Sequence, residues 1–114
     1  MKVYIINSHV WSYDDSYMNI EEGSSTQAVF NNKFDALEEA TKRNLSFLNE
    51  IDSSYSNCSF PNLNLDIYDL HKELNLNGDP EELFYYLKDA PKHVKIKAIE
   101  LGIRSYYVTE MEVQ

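Results

Sequence analysis

The segment Lys2-Val3-Tyr4-Ile5-Ile6 combines β-branched and aromatic side chains, which predicts a first β-strand. Val3, Ile5, Trp11 and Tyr13 share one parity, so this strand is expected to continue as far as Tyr13. The polar, acidic stretch 14–25 ends in Gly-Ser-Ser and predicts a long hairpin connection, after which 26–30 returns as the second strand. Residues 103–113 alternate Tyr107, Thr109, Met111 and Val113 with Tyr106, Val108, Glu110 and Glu112, which predicts a final strand.

Helical patterns fill the middle of the chain. After Asn31-Asn32-Lys33, a helix is expected to bury one face that carries Phe34, Leu37, Thr41, Leu45 and Leu48. Its opposite side, with Glu38, Glu39, Lys42, Arg43 and Asn49, is expected to be solvated. Residues 53–62 have the composition of a loop.

Three shorter helices are expected after that loop. One covers 66–76 and stops at Asn77-Gly78, although Leu63, Leu65 and Ile67 also alternate as in a strand. Asp79-Pro80 starts the next, which runs through Lys88 with Leu83, Phe84 and Leu87 facing inward. Pro91 starts the last, with Val94, Ala98 and Leu101 on one side, Gly102 at its end and Ile103 packed back on its last turn.

These elements predict an α+β fold in a single domain over 1–114. The 114 residues contain 43% hydrophobic residues and no Pro/Gly/Ser-rich linker, which is sufficient for one core. We expect a small antiparallel sheet of about three strands, formed by the N-terminal hairpin and the C-terminal strand, packed with three or four helices on at least one face.

The two ends of the chain resemble small α+β proteins of bacteria and their phages. The resemblance lies in the opening Lys2-Val3-Tyr4-Ile5-Ile6 strand and in the closing Tyr106-Tyr107-Val108-Thr109-Glu110-Met111-Glu112-Val113 strand. It implies a bacterial or phage origin and carries no particular activity with it.

The charge of the chain argues against nucleic acid as a ligand. Ten Lys and Arg stand against 19 Asp and Glu, for a formal net charge of −9, which repels a phosphate backbone and favours a partner with a basic surface. The charge is also uneven. Residues 53–82 carry six acids and one base, whereas residues 83–104 carry five bases and two acids, so an acidic and a basic face are expected.

A cytoplasmic protein is expected. Cys58 is the single cysteine, so no disulfide can form within the chain, which fits a reducing compartment. The apolar run at the N-terminus is too short for a signal-peptide core, and no run reaches membrane-spanning length, so membrane insertion is not expected.

Motifs for catalysis, metals and cofactors are absent from the sequence. His9, His71 and His93 have no zinc-site spacing, and the three glycines lie too far apart for a phosphate-binding loop. Asp66, Asp69, Glu73 and His71 are close in sequence but predict a solvated acidic helix face, and Cys58 predicts a plain thiol because no cation lies beside it. A non-enzyme is therefore favoured. The alternative is a small enzyme that uses His9 or His71 with nearby carboxylates, such as Asp14 or Glu110 for His9.

The candidate binding residues lie in the segment 11–22, which mixes aromatic and acidic residues: Trp11, Tyr13, Asp14, Asp15, Tyr17, Glu21 and Glu22. Trp and Tyr commonly anchor interfaces, and acids beside them can pair with Arg or Lys of a partner. A simpler interpretation is that Trp11 and Tyr13 extend the first strand and cap the core.

The leading hypothesis is a protein-binding module, an inhibitor or immunity-type protein that masks a basic site on a larger protein. The alternative is a self-associating structural or regulatory protein, with an exposed strand and split charge as its basis.

Overall fold

The computed structural model describes residues 1–13, 19–51, 60 and 63–113, with only the backbone considered at 10–13 and 19–23. It confirms an α+β fold with a three-stranded antiparallel sheet and four α-helices over these residues. The elements are β1 (Lys2–Tyr13), β2 (Asn19–Phe30), α1 (Lys33–Glu50), α2 (Ile67–Leu74), a 3₁₀ turn (Pro80–Glu82), α3 (Leu83–Lys88), α4 (Lys92–Leu101) and β3 (Tyr106–Glu112).

Both ends of the chain meet in the sheet, as expected, with strand order β2-β1-β3. The β1–β3 ladder runs from Lys2 opposite Glu112 to Ser8 opposite Tyr106 without a register shift. The backbone N–H of Val113 extends this ladder by donating to the carbonyl of Met1 at 2.7 Å. The first strand is thus the central one.

The hairpin differs from the sequence prediction. Residues 19–25 were expected in a connection but belong to β2, which pairs with β1 from Tyr4 opposite Phe30 to Tyr13 opposite Asn19. Two register shifts place one extra residue each on β2, at Gln27 and at Glu22. Bulges of this kind allow a polar segment that lacks alternating polar and apolar residues to continue the strand pairing. Its backbone N–H and C=O groups then form hydrogen bonds with the neighbouring strand.

Helix α1 lies on the sheet with a face that the sequence did not predict. Asn32 caps the helix, its Oδ1 accepting from the backbone N–H of Phe34 at 2.7 Å. The buried stripe is Ala36, Ala40, Asn44 and Leu48. The expected face was therefore wrong at Phe34 and Leu37, which are 70% and 46% exposed, whereas Leu48 is buried and the half-buried Leu45 packs against the core. Small alanine side chains allow a close approach of the helix to the sheet, which the larger residues would prevent.

Asn44 joins α1 to the start of β3. Its side chain is 2% exposed, and its Oδ1 accepts from the backbone N–H of Ser105 at 3.0 Å and of Tyr106 at 2.8 Å. Its Nδ2 donates to the Tyr106 carbonyl at 2.9 Å. These bonds require the Asn44 stripe to face the sheet, which fixes the rotation of α1 about its axis.

The shorter helices follow their end signals. Asp66 caps α2, which ends two residues earlier than expected because Asn75 adopts a left-handed conformation with φ 52°. Asp79 caps the 3₁₀ turn, and the inward positions Leu83, Phe84 and Leu87 are buried as expected. Helix α4 ends at Gly102 as expected, with φ 121°, and Ile103 beyond it is fully buried.

The main hydrophobic core lies among the helices. It contains Leu48, Ile51, Phe60, Leu70, Leu74, Leu83, Phe84, Leu87, Ala98, Ile99 and Ile103. Phe60 is one of its largest members, and its ring centroid lies 5.9 Å from that of Phe84. The rest of the expected 53–62 loop, Cys58 included, lies outside the described residues. Within the described part of the chain, no helix is both long and apolar enough to cross a membrane.

Candidate protein-binding surfaces

The hairpin extends beyond the three-stranded part of the sheet. β3 pairs with β1 only as far as Ser8, and the last bond between this part of the chain and β1 runs from the His9 N–H to the Ser105 carbonyl at 2.8 Å. The β1–β2 ladder continues from Val10 opposite Gly23 to Tyr13 opposite Asn19. Residues 10–13 and 19–23 therefore form a two-stranded ribbon. The segment 10–23, which contains this ribbon, is named the arm below.

All seven predicted binding residues belong to the arm. Trp11 and Tyr13 lie on β1, and Glu21 and Glu22 lie on β2. Trp11 is directly opposite Glu21 in the ladder, and Glu22 is the extra residue of the neighbouring bulge. Asp14, Asp15 and Tyr17 lie outside the described residues. The fold therefore places the predicted aromatic residue Trp11 opposite the predicted acidic residue Glu21, although 10 residues of sequence separate them.

A polar ladder crosses the sheet below the arm, on the face opposite α1. Thr26 Oγ1 donates to Asn7 Oδ1 at 3.3 Å, and Asn7 Nδ2 donates to Thr109 Oγ1 at 2.9 Å, which links all three strands. Next to it the buried His9 ring lies 4.9 Å from the ring of Tyr107. Side-chain bonds between strands restrict sliding of the ladder, so the arm begins from a fixed base.

The structure places His9 far from Glu110, one of the two carboxylates that the enzyme alternative would pair with it. Glu110 is opposite Tyr4, five residues along β1 from His9, which corresponds to about 17 Å. Asp14 lies outside the described residues. His71 is half-buried on α2. Asp66 and Asp69 are exposed, and Asp66 Oδ1 caps the helix by accepting from the backbone N–H of Asp69 at 2.8 Å. No cluster of three or more potential metal ligands occurs among the described residues.

An apolar groove between α1 and α4 was missed by the sequence prediction. Its open volume is about 530 Å³, and its lining residues are Phe34, Leu37, Glu38, Thr41, Lys42, Leu45, Lys92 and Ile96. This surface, named the α1–α4 groove, contains four of the five residues that were expected in the core. The four-residue spacing of Ala36 and Ala40 was the sequence signal that could have identified the buried face of α1, because it forms a second stripe of small side chains along the helix.

Two tyrosines near the 3₁₀ turn have carboxylate neighbours. The charge of Glu81 raises the pKa of Tyr68, and the hydrogen bond from Tyr68 to Glu81 at 3.3 Å acts in the same direction. The charge of Glu82 likewise raises the pKa of Tyr86, whose hydroxyl donates to that carboxylate at 3.4 Å. Both hydrogen bonds lie at the surface of the protein.

A second open groove, of about 570 Å³, lies where α2 and α4 approach each other. Glu73, Asp89, His93 and Lys97 contribute to its lining. Lys97 Nζ donates to the Glu73 carbonyl at 2.7 Å and lies 3.9 Å from its carboxylate. The lining of this groove carries charged residues of both signs, as is usual for a solvated surface.

No protein-family model matches the chain, and no curated protein and no solved structure matches it significantly. Function is therefore inferred from the arm and from the α1–α4 groove.

Proposed function

We propose that the protein is a small cytoplasmic binding module, of bacterial or phage origin, that uses its arm to mask a basic site on a larger protein. The observation that carries this proposal is the continuation of the β1–β2 ladder to Tyr13 and Asn19 after β3 has stopped pairing at Ser8. A ribbon flanked by no third strand among the described residues has backbone groups available for a partner.

The charge of the arm supports a basic partner. Residues 10–23 contain Asp14, Asp15, Glu21 and Glu22 and no Lys or Arg, a net of −4 in a chain of −9. Four like charges within this short segment attract a basic cleft over about a Debye length, ~8 Å at physiological salt. Such attraction raises the association rate and disfavours acidic partners.

The aromatic residues of the arm supply the other component of an interface. Trp11, Tyr13 and Tyr17 belong to the residue types that contribute most to binding energy when they are buried against a partner. Acids between these aromatics can pair with Arg or Lys at the edge of the same contact. Together they match the chemistry of an inhibitor that occupies a basic site.

The test is capture of a partner from bacterial lysate, followed by affinity measurements with arm variants. The arm variant reverses the four acids (D14K, D15K, E21K and E22K). The control reverses four exposed acids outside the arm, three of them in helices and one at the end of α3 (E50K, D69K, E100K and D89K). Both variants change the net charge by the same amount. We expect the arm variant to bind at least about tenfold more weakly, and the control to stay within about threefold of the parent.

Salt provides a second measurement of the same interaction. Raising the salt concentration from about 0.1 M to about 1 M shortens the Debye length from ~10 Å to ~3 Å, so the complex should dissociate more readily. A folded arm variant that keeps full affinity for the captured partner would refute the proposal.

Self-association is the second candidate, and one observation favours it. The sheet face opposite α1 exposes apolar side chains of both edge strands, including Val29 and Met111 at 59% and 53%. Edge strands and apolar sheet faces are common contacts between identical chains. Sedimentation at micromolar concentration tests this candidate, and a monomer would count against it.

A further inference from the structure

We infer that the α1–α4 groove is a second docking surface whose occupant is an amphipathic helix of a partner protein, with Asp and Glu flanking its apolar face. This inference does not depend on the arm. The groove and the arm involve separate residues and opposite charge preferences.

The apolar floor of the groove comes from Phe34, Leu37 and Leu45, which lie on α1 beside its buried stripe. Phe34 and Leu37 are exposed, and Leu45 is half-buried on the same stripe. The distance from Phe34 to Leu45 along α1 is 11 residues, or about 16 Å and three helical turns. Ile96 of α4 forms the facing wall. A helix of about three turns with apolar residues at i, i+3, i+4 and i+7 fits such a surface.

The rim of the groove determines the charge of its occupant. Lys42 and Lys92 are exposed at the rim, against the single acid Glu38, so the lining is net positive in a chain of net charge −9. Neither lysine forms an ion pair with another residue in the described ranges. The basic segment 83–104 continues on the α4 side. Charge complementarity therefore favours an occupant with acidic flanks over a neutral or basic one.

The probe for this inference is a synthetic amphipathic peptide of about 18 residues, long enough to form a helix, with Leu on one face and Glu beside it. A matched peptide has Lys at each Glu position. Fluorescence anisotropy measures both affinities, and amide chemical shifts of the intact protein locate the binding. We expect the acidic peptide to bind at least tenfold more tightly than the basic one, with shifts centred on Leu37 and Ile96.

Three variants distinguish this groove from other surfaces. L37E places a charge on the apolar floor at an exposed position, so folding should be preserved, and we expect loss of binding. K42E/K92E should reverse the preference in favour of the basic peptide. S46E adds the same charge to α1 at an exposed position outside the lining, and it should bind as the parent does.

The inference and the proposed function fail separately. The four-acid arm variant should bind the acidic peptide at least as well as the parent, whatever it does to the captured partner. The inference is overturned if both peptides bind equally, if neither binds at millimolar concentration, or if L37E binds as the parent does. It is also overturned if sedimentation shows a dimer that L37E dissociates, because the occupant would then be a second copy of the chain.

Discussion

Asn44 places a buried amide on the stripe of α1 that faces the sheet. Its three hydrogen bonds satisfy backbone groups of Ser105 and Tyr106 at the point where β3 begins. N44A should lower the free energy of unfolding by about 2–4 kcal/mol, since two donors and one acceptor lose their partner in a water-poor environment. Urea denaturation measures the change.

The control for this prediction is N64A, the same substitution at an exposed asparagine, which should change stability by less than about 0.5 kcal/mol. Equal effects of the two substitutions would show that Asn44 does not join α1 to β3. The sequence alone gives Asn44 no special status. Asn49, five residues later on the same helix, is exposed. Asn44 differs from it because Ser105, 61 residues further along the chain than Asn44, packs against the Asn44 side chain.

Tyr68 and Tyr86 provide a charge-specific prediction. E81Q should lower the pKa of Tyr68 towards its usual value of 10.0, because the largest cause of the raised value is the charge of Glu81. E82Q should lower the pKa of Tyr86 for the same reason. Titration of ¹³C-labelled tyrosine rings resolves each residue. Each substitution is the control for the other, and a shift of both tyrosines by either substitution would contradict the pairing.

The pH dependence follows from the direction of these shifts. A tyrosine whose pKa is higher in the folded than in the unfolded chain favours the folded state while it is protonated. The contribution is therefore fully present below pH 10 and is lost as the pH rises through the folded-state pKa. The parent should lose stability over this alkaline range more than the E81Q/E82Q double variant does. Thermal unfolding at pH 8 and in the alkaline range compares the two.

At the scale of elements, the ends of the helices were more predictable than their faces. Asp79-Pro80 and Gly102 are local signals, and each lies where the corresponding helix starts or ends. The buried face of α1 depends instead on what packs against it. Phe34, Leu37 and Leu45 form the more apolar stripe of α1. The sheet nevertheless packs against the stripe with the smaller side chains of Ala36 and Ala40. Hydrophobicity alone therefore assigns the wrong face to this helix.

The turn between α2 and the 3₁₀ segment depends on a glycine. Gly78 has φ 89°, and a Cβ at this position would collide with the ring of Tyr86. G78A should reduce the free energy of unfolding by about 1–3 kcal/mol, because backbone strain and steric overlap add. Chemical denaturation measures the loss.

Tyr86 allows the two causes to be separated. In a Y86A background the ring is absent, so G78A should cost only the strain of a positive φ, about 1 kcal/mol. The coupling between the two substitutions gives the steric part. A coupling energy of zero would mean that the ring does not pack on Gly78.

At the scale of the whole molecule, the described core and the arm occupy different segments of the chain. Among the residues whose burial the structure describes, the core cluster comes from the segment 48–103, whereas the arm continues β1 and β2 past the end of β3. Sequence analysis could predict both terminal strands because each has a strong local pattern. It could not extend β2 back to Asn19, since pairing across two bulges stabilises that polar segment and no alternation marks it.

This separation predicts that the arm can be removed without unfolding the protein. Replacing residues 11–22 with Asn-Gly would join Val10 to Gly23, which are directly opposite in the ladder, through a two-residue turn of a favoured type. We expect the free energy of unfolding to change by no more than about 1 kcal/mol, because the shortened hairpin keeps the ladder from Tyr4 to Val10 and every core residue that the structure describes. Binding to the captured partner should be lost.

The same variant decides between the two interpretations of Trp11 and Tyr13. If these residues cap the core, their removal exposes apolar surface, and each large aromatic lost should cost about 3 kcal/mol or more. Thermal and urea unfolding of the shortened chain would then show a loss far above 1 kcal/mol, and the loss of binding would reflect misfolding. A stable shortened chain that no longer binds its partner, yet binds the acidic peptide in the α1–α4 groove, would instead assign partner recognition to the arm alone.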